Sequence, residues 1–184
     1  MPIDQDLIVA LLRRHTDRRE EAQVLDLLRQ ASAPTLDKVL RELDAAQLFR
    51  SIDDHLLGPQ HRTALRDLLV ERLGELSIEA QANLAYGLQA RHTDHADETA
   101  ISAIFHARHG VELTHLKNQI NARKDSHDLE GLIFNDIGNA GIRAEILDHI
   151  AEQAAGVHTG ESKVLCDIDD TVICALHDDR YPKG

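Results

Sequence analysis

The tetrapeptide Arg14-His15-Thr16-Asp17 recurs 77 residues later as Arg91-His92-Thr93-Asp94. Its surroundings recur with it. At the same offset Glu21 matches Glu98, Val24 matches Ile101, Leu27 matches Ile104, Leu36 matches Leu113 and Leu43 matches Ile120. Further on the offset becomes 81, so that Ile52 matches Ile133, Arg62 matches Arg143 and Leu65 matches Ile146. The second copy therefore holds four extra residues, near 124–127. Apolar agreement alone is cheap between amphipathic segments. A repeated polar tetrapeptide and a matched arginine are not. A chain built this way folds as one supersecondary unit laid beside a second, each burying the apolar face that its neighbour cannot cover alone.

The unit is helical. Apolar residues return at helical spacing in Glu20–Gln30 (Val24, Leu25, Leu27, Leu28), then after Pro34 (Leu36, Val39, Leu40, Leu43) with Ser32 or Thr35 as a cap. A short helix is expected over Ala46–Asp54. Gly58-Pro59 separates it from a fourth with Leu65, Leu68, Leu69 and Leu73. Ser77 caps a fifth helix, Ile78–Leu88. In the second copy Thr93 or Asp94 caps a helix through Ile101, Ile104 and Phe105. Val111–Ala122 follows, then a short Asp128–Asn135. Gly138 and Gly141 bracket a turn before a last helix marked by Ile142, Ile146 and Ile150. The copies span about 10–89 and 90–155, within a helical domain of residues 1–155.

Composition narrows the partners. Hydrophobic residues make up 42% of the 184, but aromatics only 3% with no Trp, so the core is aliphatic. Thirty-two acidic residues against 20 Lys and Arg leave a net charge of −12. That argues against nucleic acid as a partner and against simple electrostatic docking on an anionic membrane. No apolar run reaches membrane-spanning length and no signal peptide is evident, so a reducing cytoplasm is the expected compartment. Cys166 and Cys174 are too few for a disulfide framework. The twelve histidines would bring the formal charge to about zero if all were protonated.

The unit of two longer helices, a short third, a fourth after a turn and a fifth leading into the next copy resembles the annexin repeat. The resemblance is carried by Thr93-Asp94 with Asp97-Glu98 and Ile101, by Asp128-Leu129, by Asp136 through Gly141 to Arg143, and by Leu76-Ser77 through Ala82, Leu84, Tyr86 and Gly87. It covers about residues 10–150. It implies an annexin-like two-repeat helical domain with peripheral membrane contact. Calcium would be held by carbonyls of the loop before the first helix and a later carboxylate, Asp136 in the second copy and Asp54 or its neighbour in the first. Annexins have Gly-x-Gly-Thr in that loop. Here Ala90-Arg91-His92-Thr93 and Arg13-Arg14-His15-Thr16 lack both glycines, and the turn is harder to adopt without them. A purely structural helical repeat is therefore favoured over a Ca²⁺ site.

After Ala155 the pattern changes. Residues 156–162 read as a linker. Lys163-Val164-Leu165-Cys166 then runs into Asp167-Ile168-Asp169-Asp170-Thr171-Val172, which reads as a buried strand with carboxylates at its C-terminal tip, where α/β sheets bind ligands. Alternate residues at a strand end can face one crevice. One carboxylate there can attack phosphorus, and a second can protonate the leaving oxygen and then activate water. Crowded carboxylates also suit Mg²⁺. The alternative is an ordinary solvated acidic turn.

Asp167-x-Asp169-x-Thr171 is similar to the first motif of the haloacid dehalogenase superfamily. With Arg180-Tyr181-Pro182-Lys183-Gly184 it resembles the start of the catalytic domain of phosphatidate phosphatases of the actin-patch type. The resemblance implies that Asp167 is nucleophile and Mg²⁺ ligand, that Asp169 is general acid/base with its carbonyl on the metal, and that Thr171 hydrogen-bonds near the nucleophile. The substrate implied is a phosphorylated lipid or another phosphomonoester. The residues after Thr171 are too few for the parallel strands that carry the family's later motifs. Residues 163–184 are thus expected to be the first strand of a truncated α/β domain, inactive by itself. The competing expectation is a lipid- or protein-binding helical module without catalysis. Weaker constellations are the i, i+3 pairs His92/His95 and His106/His109, read as solvated histidines before metal ligands, and the cluster Arg13, Arg14, Arg18 and Arg19, read as helix-end charges.

Overall fold

The computed structural model describes residues 17–54, 58–89, 93–122 and 128–155, and these are mainly helical. The linker and the strand expected over 163–184 lie outside them. Helices run α1 Arg18–Gln30, α2 Ala33–Glu42, α3 Ala45–Ser51, α4 His61–Glu71, α5 Ile78–Gln89, α6 His95–His106, α7 Gly110–Asn121, α8 Leu129–Gly131 and α9 Ala140–Ala155. A 3₁₀ turn, Leu73–Glu75, follows α4, and a π turn, Leu132–Asp136, follows α8.

The repeat is visible in the helix starts: α6 and α7 begin 77 residues after α1 and α2. Aspartates cap the matching first helices. Asp17 accepts the amides of Arg19 and Glu20, and Glu20 returns a bond to the Asp17 amide, a capping box that sets the start at Arg18. Asp94, not Thr93, caps α6 through the amides of Ala96 and Asp97. Ser77 caps α5 through the Ala80 amide at 3.2 Å. Ser32 occupies the α2 cap position, but its hydroxyl pairs with that of Thr35.

The matching carbonyls after the first helix are held in different ways. In the first copy Arg72 donates to Leu28 O at 3.1 Å and Ala31 O at 2.8 Å. In the second, His149 Nε2 lies 2.9 Å from Arg108 O, the position matching Ala31, and Gln153 Oε1 accepts the Gly110 amide. Gly110 has φ +52°, a backbone conformation that favours glycine.

Two short elements differ from the periodic pattern. The third helix ends at Ser51 rather than Asp54, because Asp54 turns back to accept the Thr63 amide at 3.1 Å and hydroxyl at 2.7 Å, capping α4. In the π turn Leu132 and Ile133 are buried, as is Ile137 just after it, while Phe134 is 56% exposed.

Helix α5 joins the copies, packing against α2 and α3 of the first and α6 and α7 of the second. Ala80, Leu84, Ala85 and Leu88 are fully buried on it, and so is Gln81, whose amide bonds Leu73 O and Arg108 Nε. One aliphatic core runs through both copies, with Phe49 and Phe105 as its largest members. At the α3–α5 crossing Gly87 lets the backbones meet. A Cβ there would stand 2.8 Å from the Phe49 ring and 2.9 Å from both Cβ and O of Ala45. Gly87→Ala is expected to destabilise by about 1–3 kcal/mol through overpacking, net of the roughly 1 kcal/mol that alanine returns in helix propensity. The urea midpoint measures this. A variant as stable as the parent would mean that the two helices are not in close contact.

Candidate functional site

The catalytic candidates Asp167, Asp169 and Thr171, and both cysteines, lie outside the described residues. So do Arg13, Arg14 and His92. Arg18 and Arg19 stand exposed in the first turn of α1. What the described residues bring together is Thr93, the one described residue of the loop named for cation binding in the second copy, and the carboxylate Asp136.

The start of α6 and the loop before α9 enclose a cleft of about 530 Å³ lined by Thr93, Asp94, His95, Glu98, Asp136 and Asn139 among others. Glu98, buried on α6, is its fixed floor: Oε1 accepts the amides of Gly138 at 2.6 Å and Asn139 at 3.0 Å. Asn139 in turn caps α9 through the amides of Gly141 and Ile142. Asp136 ends the π turn, and its Oδ2 accepts from Gln89 Nε2 at 3.2 Å, a bond from the last residue of α5. The one side-chain oxygen of Gln89, Oε1, is buried with no hydrogen-bond partner among the described residues. Wide π turns recur at functional sites because the extra residue re-aims a side chain.

In the first copy the matching groups are committed differently. Glu21, 2% exposed, sits 2.7 Å from His61 Nδ1 and accepts the Asp53 amide, while Asp54 is bound to Thr63. In the first copy, residue 55, which matches Asp136, and the loop before α1 lie outside the described residues. Among the described residues no three His, Cys, Asp or Glu side chains are already arranged around a metal position.

Behind the cleft lies an ion-pair core between the copies. Arg62 of α4 grips Asp97 of α6 with both terminal nitrogens, at 3.2 and 2.7 Å, and Arg66 adds a contact at 3.5 Å. Asp97 is fully buried. Arg62 also lies over the Phe49 ring, 5.5 Å from its centroid. The repeat flagged Arg62 and Arg143 as a matched pair, but they do different work: Arg143 donates to Ile133 O and Ile137 O of its own copy. The floor role of Glu98 and the partners Gln89 and Asp97 were not legible, since each depends on a contact more than 30 residues away in sequence.

Burial pushes the Asp94 carboxyl up, but the amides of Asp97 and Ala96 and the charges of Arg66 and Arg62 outweigh it and hold the group below its ordinary value. Asp37 is lowered in the same way: bonds from Ser77 and the Arg41 charge outweigh its desolvation. Both groups titrate lower folded than unfolded. Their contribution is complete above the unfolded value near 3.9 and is lost as pH falls through the folded values. The urea midpoint is expected to fall in that acid window. Asp94→Asn, which retains capping ability, is expected to flatten the fall. An identical pH profile for the variant would show that the Asp94 charge contributes nothing.

The described residues are mainly helical, and among them no helix is long and apolar enough to cross a membrane. No protein-family model matches the chain, and no curated protein or solved structure matches it.

Proposed function

We propose that this chain carries the opening of a magnesium-dependent phosphomonoester hydrolase of the phosphatidate phosphatase type, preceded by an annexin-like helical module. The observation that carries the reading is Asp167-x-Asp169-x-Thr171 directly after the apolar run Val164-Leu165-Cys166. Two carboxylates and a hydroxyl at alternate positions of a strand end can serve nucleophile, proton carrier and positioning donor in one crevice. Asp167 and Asp169 would hold Mg²⁺, which offsets repulsion between carboxylate and phosphate when bound. The helical module would keep the enzyme at its lipid substrate. The test is to read the encoding DNA beyond Gly184 and assay its complete product. Further α/β units with a later Lys and acidic pair, and Mg²⁺-dependent phosphate release from phosphatidate, are the expected results. A stop codon after Gly184 would refute the reading. The present chain is expected to show no turnover alone.

A second reading is favoured by the cleft between Thr93 and Asp136, the place where the annexin resemblance puts calcium. On that reading the module binds lipid through Ca²⁺. The chain should then sediment with phosphatidate-containing vesicles when calcium is present, and Asp136→Ala should abolish this. Sedimentation unaffected by calcium or by Asp136→Ala would leave the cleft as structure alone.

A further inference from the structure

The 77-residue offset runs further upstream than the recurring tetrapeptide. Residues 1–12 match α5, Ile78–Gln89, without a gap, and residues 13–16 match the connection from α5 to the Asp94 cap. Leu7 falls on Leu84 and Leu11 on Leu88. Ile3 falls on Ala80 and Ile8 on Ala85. All four of these positions are completely buried on α5. Polar residues coincide as well, Asp4 with Gln81 and Asp6 with Asn83. Pro2 falls in the first turn, where a helix tolerates proline.

The described part of the first copy shows a place for such a helix. α5 packs against α6 and α7. On those two helices Ile104 is fully buried and Ile120 is 2% exposed. Their matches Leu27, on α1, and Leu43, at the end of α2, are only half-buried at the edge of the core. The other matched apolar pairs agree: Val24 and Ile101, Leu28 and Phe105, Leu36 and Leu113, and Val39 and Leu116 are all buried. The face of α5 that meets the second copy is marked by its bonds. Gln81 accepts from Arg108, and Gln89 donates to Asp136. Ala85 and Leu88 share that stripe at helical spacing, while Asn83 and Gly87 meet the first copy. The stripe corresponds to Ile8 and Leu11 in the upstream segment.

Residues 1–16 lie outside the described residues. We propose that residues 1–12 form a helix docked on α1 and α2 of their own chain, as α5 lies on α6 and α7, with Ile8 and Leu11 covering Leu27 and Leu43. The connection selects this occupant. Four residues, 13–16, join it to the Asp17 cap, as four join Gln89 to Asp94. A segment of this length is marginal as an isolated helix in water, so its order comes from the face it covers. The proposal rests on neither the phosphatase reading nor the calcium reading.

The test is nuclear magnetic resonance on the whole chain with labelled methyl groups. Helical carbon shifts are expected over residues 3–12, with Overhauser contacts from the methyls of Ile8 and Leu11 to those of Leu27 and Leu43. Isotope-filtered spectra of mixed labelled and unlabelled chains should place these contacts within single chains. Leu11→Ala should lower the melting temperature by about 5 °C or more, the scale for a buried leucine in a chain of this size. If that variant fails to fold, the contacts in the parent chain decide. Random-coil shifts over 3–12, contacts found only between chains, or an unchanged melting temperature for Leu11→Ala overturns the proposal.

Discussion

Asp97→Ala is expected to lower the unfolding free energy by about 3–5 kcal/mol, the cost of removing one partner from a buried ion pair. The size follows from what stays behind. Asp97 is fully buried and accepts from both terminal nitrogens of Arg62, with Arg66 close by at 3.5 Å. Without it two nearly buried guanidinium groups lose their compensating charge. Arg62 has no reserve, because its Nε already lacks a hydrogen-bond partner among the described residues. Domains of this size are stable by only about 5–15 kcal/mol, so the variant should melt early or fail to accumulate. The pair also joins α4 of the first copy to α6 of the second, so amide exchange should rise in both helices. The double variant Asp97→Ala/Arg62→Met separates charge from packing. It removes the orphaned cation and keeps an unbranched stem over Phe49, and should recover part of the loss. A midpoint for Asp97→Ala within about 1 kcal/mol of the parent, as for an exposed pair, would mean that water reaches the two arginines.

Much of the helical part was legible from spacing. Leu36, Val39 and Leu40 are buried on one face of α2, and Leu113 and Leu116 on the matching face of α7, because a helix with such a stripe has only one way to remove it from water. The recurring tetrapeptide ends on Asp17 in one copy and Asp94 in the other, and both cap the helix that follows. Legibility ended where a residue's role depends on a distant partner. Asp54 fits the end of a helical stripe until Thr63, on another helix, takes both its oxygens. Phe134 fits the apolar face of a short helix until the π turn rotates it outward. Glu98 and Asp97 are adjacent acidic residues in a first helical turn, a position that the helix dipole alone explains. Nothing local says that one is the floor of a cleft and the other the centre of a cross-copy ion pair. The acidic strand is the reverse case: its chemistry is written in consecutive residues, Asp167 to Thr171, and needs no long-range contact to be suspected.

Under the proposed phosphatase reading, Asp167 and Asp169 should fail in different ways in the complete enzyme. Asp167→Asn removes the attacking oxygen, so both turnover and any phosphoenzyme should disappear. Asp169→Asn leaves the nucleophile and removes the proton carrier, which should cost about 10²–10⁴-fold in rate. The loss should depend on the substrate. A phosphatidate leaving group needs a proton as its bond to phosphorus breaks, so formation of the aspartyl-phosphate should slow. A nitrophenyl phosphate leaves without one, so the first step should survive and hydrolysis should stall for want of a base to activate water. Labelled phosphate should then accumulate on the protein in acid-quenched samples of Asp169→Asn with that substrate, and not in Asp167→Asn. Equal effects of the two substitutions, with no covalent phosphate from either, would place the carboxylates around a metal as ligands alone and move the nucleophile to water.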